Sequence, residues 1–310
     1  MNTSKSNQLG LVNDLHISIP ELDERGLTYE EFYRTMLVTL KHQVHYLREI
    51  HPSNTIDDIS AYPLVIINRI LNNSITLYNV IERDKDYTIA NTIIRSMADS
   101  ISSLYFIYNE TDDEMKLLRH YLFIMDGLNG RVKLLPDSKE YDHKIKREEY
   151  DKLLHQIHES KRNFTNAINH CITTIQSQSL YSRNKASIDK IIHTNNWRFK
   201  SLNSSDKNAY NWKELYGYLD LCCDSSYFSN LSEFVHGLST SNLNFDINST
   251  LFEPVYGIAT SLLGKLHEVL KNYFKSDIDT IKLKMLSALK DEGMPQKYIN
   301  YIINKSLKQM

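Results

Sequence analysis

The chain of 310 residues is expected to be all-α, a multi-helix bundle, and three observations carry that expectation. Apolar residues recur at three- and four-residue spacing through several long segments, the mark of helices with one buried face. Only 9 Gly and 6 Pro interrupt the chain, which suits long helices joined by short connections. No alternating strand pattern of useful length and no internal repeat is present.

Residues 1–26 read as an irregular N-terminal arm, with Pro20 and Gly26 breaking any early periodicity. Thr28 followed by Glu30 and Glu31 marks a helix start, since acidic groups suit the positive end of a helix. That helix runs to about Ile50 and stops before Pro52, with Phe32, Met36, Leu40, Val44 and Leu47 expected on its buried side. A second spans Tyr62–Glu82, with Pro63 in its first turn, where the missing N–H costs nothing, and with Arg69 among its apolar residues. After a charged turn comes NTIIRSMADSISSLYFIY, Asn91 to Tyr108. Ile93, Ile94, Met97, Ile101, Leu104, Tyr105 and Tyr108 form its apolar face, and Asn91, Arg95, Asp99 and Ser102 form a polar ladder beside it. Charged groups on a core-like helix are normally paired or used.

Thr111, Asp112 and Asp113 cap the next helix, expected over 113–128 and carrying Arg119, His120 and Tyr121. Residues 129–145, with Gly130, Pro136 and mixed charge, read as loop. A long helix follows near Arg147–Gln178. The Ser- and Asn-rich stretch 179–208 is expected to be a surface excursion with a short helix at Lys185–His193. Helices resume at Asn211–Cys223 and Ser225–Leu238, with a polar turn region at Ser239–Thr250. Leu251–Phe274 is the clearest amphipathic helix, and Asp277–Leu289 and Pro295–Leu307 close the chain around Gly293. The domains expected are the arm 1–26, a helical bundle domain 27–275 and a C-terminal helical extension 276–310, able to pack on the body or on a second subunit.

Composition excludes some classes. Hydrophobic residues at 41% and charged residues at 24% are ordinary for a globular protein, and a net charge of −2 exerts no global pull toward nucleic acid or anionic lipid. Tyr62–Ile81 and Leu251–Leu270 hold Arg69, or Glu253 and Lys265, and are too polar to span a bilayer. With a polar N-terminus that lacks a signal-peptide core, the expected location is cytoplasmic and away from membranes. Cys171, Cys222 and Cys223 lack metal spacing, which suits a reducing compartment. The vicinal pair reads either as redox-active or as two small core residues.

No phosphate loop, nucleophile elbow or zinc motif is present, and no cofactor is implied. Arg95 and Asp99 lie one helical turn apart. They read either as an anion contact oriented by its carboxylate or as a buried pair fixing helix register. In YFSNLSEFVHGL, residues 227–238, Ser232 and His236 lie on a polar line. A helix end favours an imidazolium, so His236 reads as a proton donor or acceptor with Ser232 or Glu233 beside it, or else as a cap bonded to a carbonyl. His42 with His45, and His155 with His158, share a face, but no third ligand is fixed by the spacing and no metal is assigned.

The Arg-x-x-x-acid helix at Arg95 and Asp99, followed much later by Tyr227, Ser232 and His236, resembles a bacterial helical family known mainly as a domain of unknown function. EFVHG resembles the end of the motif helix of HEPN domains. In helix order the likeness runs over residues 28–275. It implies a HEPN-like core in the bundle, often a homodimer, and a metal-independent RNase of a toxin–antitoxin or antiviral defence system, with RNA or a protein such as an antitoxin or defence component as partner. On that basis His236, Arg95 and Asp99 are the implied catalytic residues, and Ser232, Glu233, Tyr227 and Asn91 the implied substrate contacts. HEPN nucleases carry an Arg shortly before the His, where this chain has Ser229, Asn230 and Leu231, so Arg95 would have to supply that charge. The competing reading is a non-catalytic helical interaction or sensor module in which the Arg95–Asp99 pair is structural.

Overall fold

A computed structural model of the chain describes residues 9–15, 27–136, 146–203, 209–221, 225–236 and 251–308. These are helical, in the order α1 (Leu11–Asp14), α2 (Tyr29–Ile50), α3 (Tyr62–Asn79), α4 (Tyr87–Tyr108), α5 (Asp113–Leu134), α6 (Arg147–Gln176), α7 (Ser179–Thr194), α8 (Trp212–Gly217), α9 (Ser225–Asn230), α10 (Ser232–His236), α11 (Phe252–Tyr273), α12 (Lys275–Asp291) and α13 (Gln296–Lys308). A single isolated bridge, Phe199 with Ala209, is the only β pairing among the described residues. None of their helices is long and apolar enough to cross a membrane.

The helix starts follow from local chemistry. Thr28 and Glu31 form a reciprocal capping box at α2, Thr28 N–H donating to Glu31 Oε2 at 2.6 Å and Glu31 N–H to Thr28 Oγ1 at 3.2 Å. Asp86 accepts the Ile89 N–H at 2.8 Å to open α4, and Asp112 accepts those of Glu114 and Met115 at 2.9 and 3.2 Å to open α5. Between α3 and α4 the chain makes a π turn over Val80–Asp84 and leaves it through Lys85 in a left-handed conformation, φ +52°. That wide turn lets α4 double back on α3.

The chain divides into two compact units, one of residues 1–109 and 212–310 and the other of residues 110–211. In the first, α2, α3, α4 and α11 form a ring of neighbours: α2 against α3, α3 against α4, α4 against α11, and α11 against α2. This is a four-helix bundle, and its shared interior holds Tyr33, Leu37, Leu64, Ile67, Ile94, Met97, Ile101, Leu262 and Leu266, all without exposed surface. The helix α12 covers the outer side of α2, and α13 lies on α12. The short helices α8 and α10 pack on α4, with α9 against α8. The second unit is a hairpin of α5 and α6 with α7 against both. Of the thirty residues of α6 only Cys171 and Ile175, near its end, are buried.

Several expectations need correction. Phe32 and Met36 are only half-buried; Tyr33 and Leu37 take the core positions, because α2 is covered on more than one side. Arg69 is exposed. The helix α5 continues to Leu134 through Gly127 and Gly130, where a loop was expected; neither glycine has an atom near enough to meet an added Cβ, so neither is needed for packing. The polar stretch from Ser179 is the sixteen-residue helix α7, kinked at Asn184 and anchored by Leu180, Ile188 and Ile191. The helix expected over Asn211–Cys223 is confined to α8, and the one over Ser225–Leu238 is two short helices parted at Leu231. Cys222, Cys223, Gly237, Leu238 and the expected turn 239–250 lie outside the described residues, as does most of the arm 1–26.

Candidate functional site

On α4 the apolar face and the polar ladder separate by depth. Ile94, Met97, Ile101 and Leu104 are sealed in the bundle, while Ile93 and Tyr105 are half-buried. The two ends of the ladder are sealed as well: Asn91 and Ser102 have no exposed surface. Asn91 Nδ2 donates to the Tyr87 carbonyl at 2.8 Å, so this side chain belongs to the interior and is not placed to touch a ligand. The middle of the ladder opens outward, with the Arg95 side chain 12% and the Asp99 side chain 34% exposed.

Arg95 and Asp99 form an ion pair through Arg95 Nη1 and Asp99 Oδ1. Base before acid is the weaker order for such a pair on an isolated helix, so the contact depends on what packs around it. That packing comes from α8. Trp212 and Tyr216, one turn apart, stack with ring centroids 6.0 Å apart and planes at 21°. The Arg95 guanidinium carbon lies 4.9 Å from the Tyr216 ring centre and 5.8 Å from that of Trp212. The Tyr216 hydroxyl donates to the same Asp99 Oδ1 at 2.5 Å, and Phe228 of α9 supports the tyrosine ring at 5.4 Å.

The third support is α10. Arg95 Nε donates to Ser232 Oγ at 3.3 Å, a long hydrogen bond. Arg95 is therefore held on three sides, and Nη2 makes no bond to the described residues. Asp99 Oδ2 is likewise unengaged. One N–H edge of the fork and one carboxylate oxygen remain available to a ligand.

Burial lowers the pKa of the Arg95 guanidinium and pushes that of the Asp99 carboxyl up to about 7. A carboxyl that changes protonation near neutral pH, beside a rigidly held cation, can give or take a proton as well as orient its neighbour.

The remaining implied residues fall around this centre. His236 ends α10 one turn beyond Ser232 and is exposed. No hydrogen bond or ion pair joins it to Arg95 or Asp99 among the described residues. Glu233 and Tyr227 are half-buried, and the Tyr227 ring meets Phe228 edge-on at 5.6 Å. Ser232 is thus the one element of the late motif that reaches Arg95. Trp212 and Tyr216 did not stand out in the sequence, although aromatic residues four apart in WKELYG were the available signal.

The histidine pairs separate in the same way. His155 and His158 are exposed on α6. His42 is fully buried, with Nε2 3.3 Å from Glu292 Oε2, and His45 lies 3.6 Å from Glu49. No group of three or more His, Cys, Asp or Glu residues suited to a metal occurs among the described residues.

No protein-family model, no curated protein and no solved structure matches this chain.

Proposed function

We propose that the Arg95–Asp99 centre is the phosphate-binding and proton-transfer site of a HEPN-like, metal-independent RNase, working in a bacterial defence or toxin setting. The observation that supports the reading is the meeting of Arg95 with Ser232, which stands one turn before the exposed His236 on α10. In this reading Arg95 Nη2 binds a non-bridging phosphate oxygen, and Asp99 and Tyr216 hold the guanidinium in place. One of Asp99 and His236 takes the proton of the ribose 2′-hydroxyl as its oxygen attacks phosphorus. The other gives a proton to the departing 5′-oxygen, leaving a 2′,3′-cyclic phosphate. Trp212, beside the guanidinium, is a surface on which a base can stack.

A specific observation favours a second reading, a non-catalytic interaction module. The Arg95 side chain is only 12% exposed, bonded to α10 through Ser232 and packed on the Trp212 and Tyr216 rings of α8, as a structural clamp holding α8 and α10 on α4 would be.

RNA cleavage by the purified full chain, compared with His236→Ala and Arg95→Lys, decides between them. Cleavage in the presence of EDTA that falls at least a hundredfold in His236→Ala supports the nuclease. Equal behaviour of wild type and His236→Ala overturns it and leaves the clamp.

A further inference from the structure

A hollow of about 390 Å³ lies in the unit of residues 1–109 and 212–310, among α2, α11, α12 and α13. It shares no residue with the Arg95 centre, and its volume lies in the range of small-molecule sites. Its lining is segregated. Ile278, Ile281, Met285, Leu286, Ile302 and Ile303 supply an aliphatic wall. Lys271, Lys275 and Lys282 stand at the same hollow against a single carboxylate, Asp279, although the chain as a whole is slightly acidic.

None of these three lysines has an ion-pair partner among the described residues, whereas Lys265 and Lys284 nearby are paired with Glu268 and Glu49. Lys275 is moreover the first residue of α12, where the helix dipole disfavours a cation and an added anion would relieve it. Three further polar side chains line the hollow, of which Thr39 already donates its hydroxyl to the Thr35 carbonyl. Gln43 is 5% exposed, and its Oε1 has no partner among the described residues; turning the amide over presents an N–H instead. Burial, and then Lys271, hold the His267 imidazole below its usual pKa, so it offers a neutral ring N–H at neutral pH.

We infer that this hollow binds a single-chain amphiphile, its alkyl tail on the aliphatic wall and an anionic carboxylate or phosphate head among Lys271, Lys275 and Lys282. A nucleotide fits less well, because no Phe, Tyr or Trp side chain lines the hollow to stack a base. A cationic amphiphile would meet three like charges.

Calorimetric titration of the full chain with decanoate and with decyl phosphate, below their micellar concentrations, tests this. Saturable one-to-one binding of either supports the proposal, and the tighter of the two identifies the headgroup. Lys271→Gln combined with Lys282→Gln should weaken both probes at least tenfold while leaving the far-ultraviolet circular dichroism unchanged. Leu286→Trp, which fills the hollow, should abolish binding. Decanol or decyltrimethylammonium binding as tightly as the anions overturns the proposal, as does AMP outcompeting decyl phosphate or a double lysine variant with wild-type affinity. Light scattering closes the remaining route. A dimer that binds neither anion, and whose Leu286→Trp variant is monomeric, assigns the face to a second copy and sinks the amphiphile.

Discussion

Each unit of the molecule holds an arginine between a carboxylate and an aromatic ring, and the two arrangements differ in what the carboxylate does. In the α5–α6 unit, Arg119 Nη1 pairs with Glu110 Oε2 at 2.7 Å, and its guanidinium carbon lies 5.4 Å from the Phe199 ring. The other oxygen of Glu110 accepts the backbone N–H groups of Thr111 and Asp112 at 2.9 and 3.2 Å. That carboxylate ties down the entry to α5, and its role is spent on the fold. At Arg95 the carboxylate bonds only side chains, Arg95 and Tyr216, and keeps one oxygen unengaged. An ion pair that anchors backbone is structural; one that touches only side chains and is a third exposed is free to act on something else. Exposure follows the same order: 10% and 22% for Arg119 and Glu110, 12% and 34% for Arg95 and Asp99.

The comparison is broken most directly at Arg119. Arg119→Ala removes the partner of a carboxylate that also organises a helix start, and should destabilise the α5–α6 unit by about 3 kcal/mol, at the lower end of the cost of breaking a buried pair. The chain has two tryptophans, Trp197 in this unit and Trp212 in the other. In a Trp212→Phe background, fluorescence-detected urea unfolding therefore reports on Trp197 alone. A loss below about 1 kcal/mol would show that Arg119 is no more structural than Arg95.

Arg95→Ala should cost less, about 1–2 kcal/mol, because Asp99 is open enough to be solvated once its partner is gone. The measurement is unfolding of the four-helix unit in a Trp197→Phe background, compared with the same background carrying Arg95. If the loss matches or exceeds that of Arg119→Ala, the clamp reading is favoured over the phosphate site.

What the sequence showed, and what it hid, divides by range. The α4 ladder and the caps at Thr28 and Asp112 were legible because they depend on residues within one or two turns. So was the amphipathic face of α11, which is buried at Phe252, Val255, Ala259, Leu262, Leu266 and Val269. The core face of α2 was legible only in part: Leu40, Val44 and Leu47 are buried as expected, but a helix covered by α3, α11 and α12 also buries Tyr33 and Leu37, in place of Phe32 and Met36. Half of the Arg95 centre was hidden for a related reason. Trp212 and Tyr216 sit on a six-residue helix too short to leave a periodic mark, and only tertiary packing brings them more than a hundred positions back to Arg95. The break at Leu231 was also invisible: leucine promotes helix, yet here it is buried between two short helices.

A finer test separates the hydroxyl from the ring. Tyr216→Phe keeps the stacking on Trp212 and the contact with Arg95 but removes the donor to Asp99 Oδ1. It should lower stability by about 1 kcal/mol, the net worth of one hydrogen bond. In the nuclease reading it should also loosen Arg95 and reduce cleavage, whereas Tyr216→Ala should reduce both far more. Equal losses for the two substitutions would show that the ring alone holds the site and that the hydroxyl is incidental.

The smallest effect expected is the most diagnostic, and it concerns pH. The Asp99 carboxyl has a folded-state pKa of about 7, against an ordinary value of 3.8. Between these values the folded chain holds a proton that the unfolded chain has released, so the contribution of Asp99 to stability is fully present below pH 4 and is lost as pH rises to 7. Asp99→Asn cannot titrate, and subtracting its unfolding free energy from that of the wild type isolates the term. The difference should turn against the wild type across pH 4–7, with solvent screening reducing its size because the side chain is a third exposed. If the difference does not turn against the wild type, the ion pair with Arg95 outweighs burial, the carboxyl stays charged through neutral pH, and proton transfer in the proposed reaction falls to His236 alone.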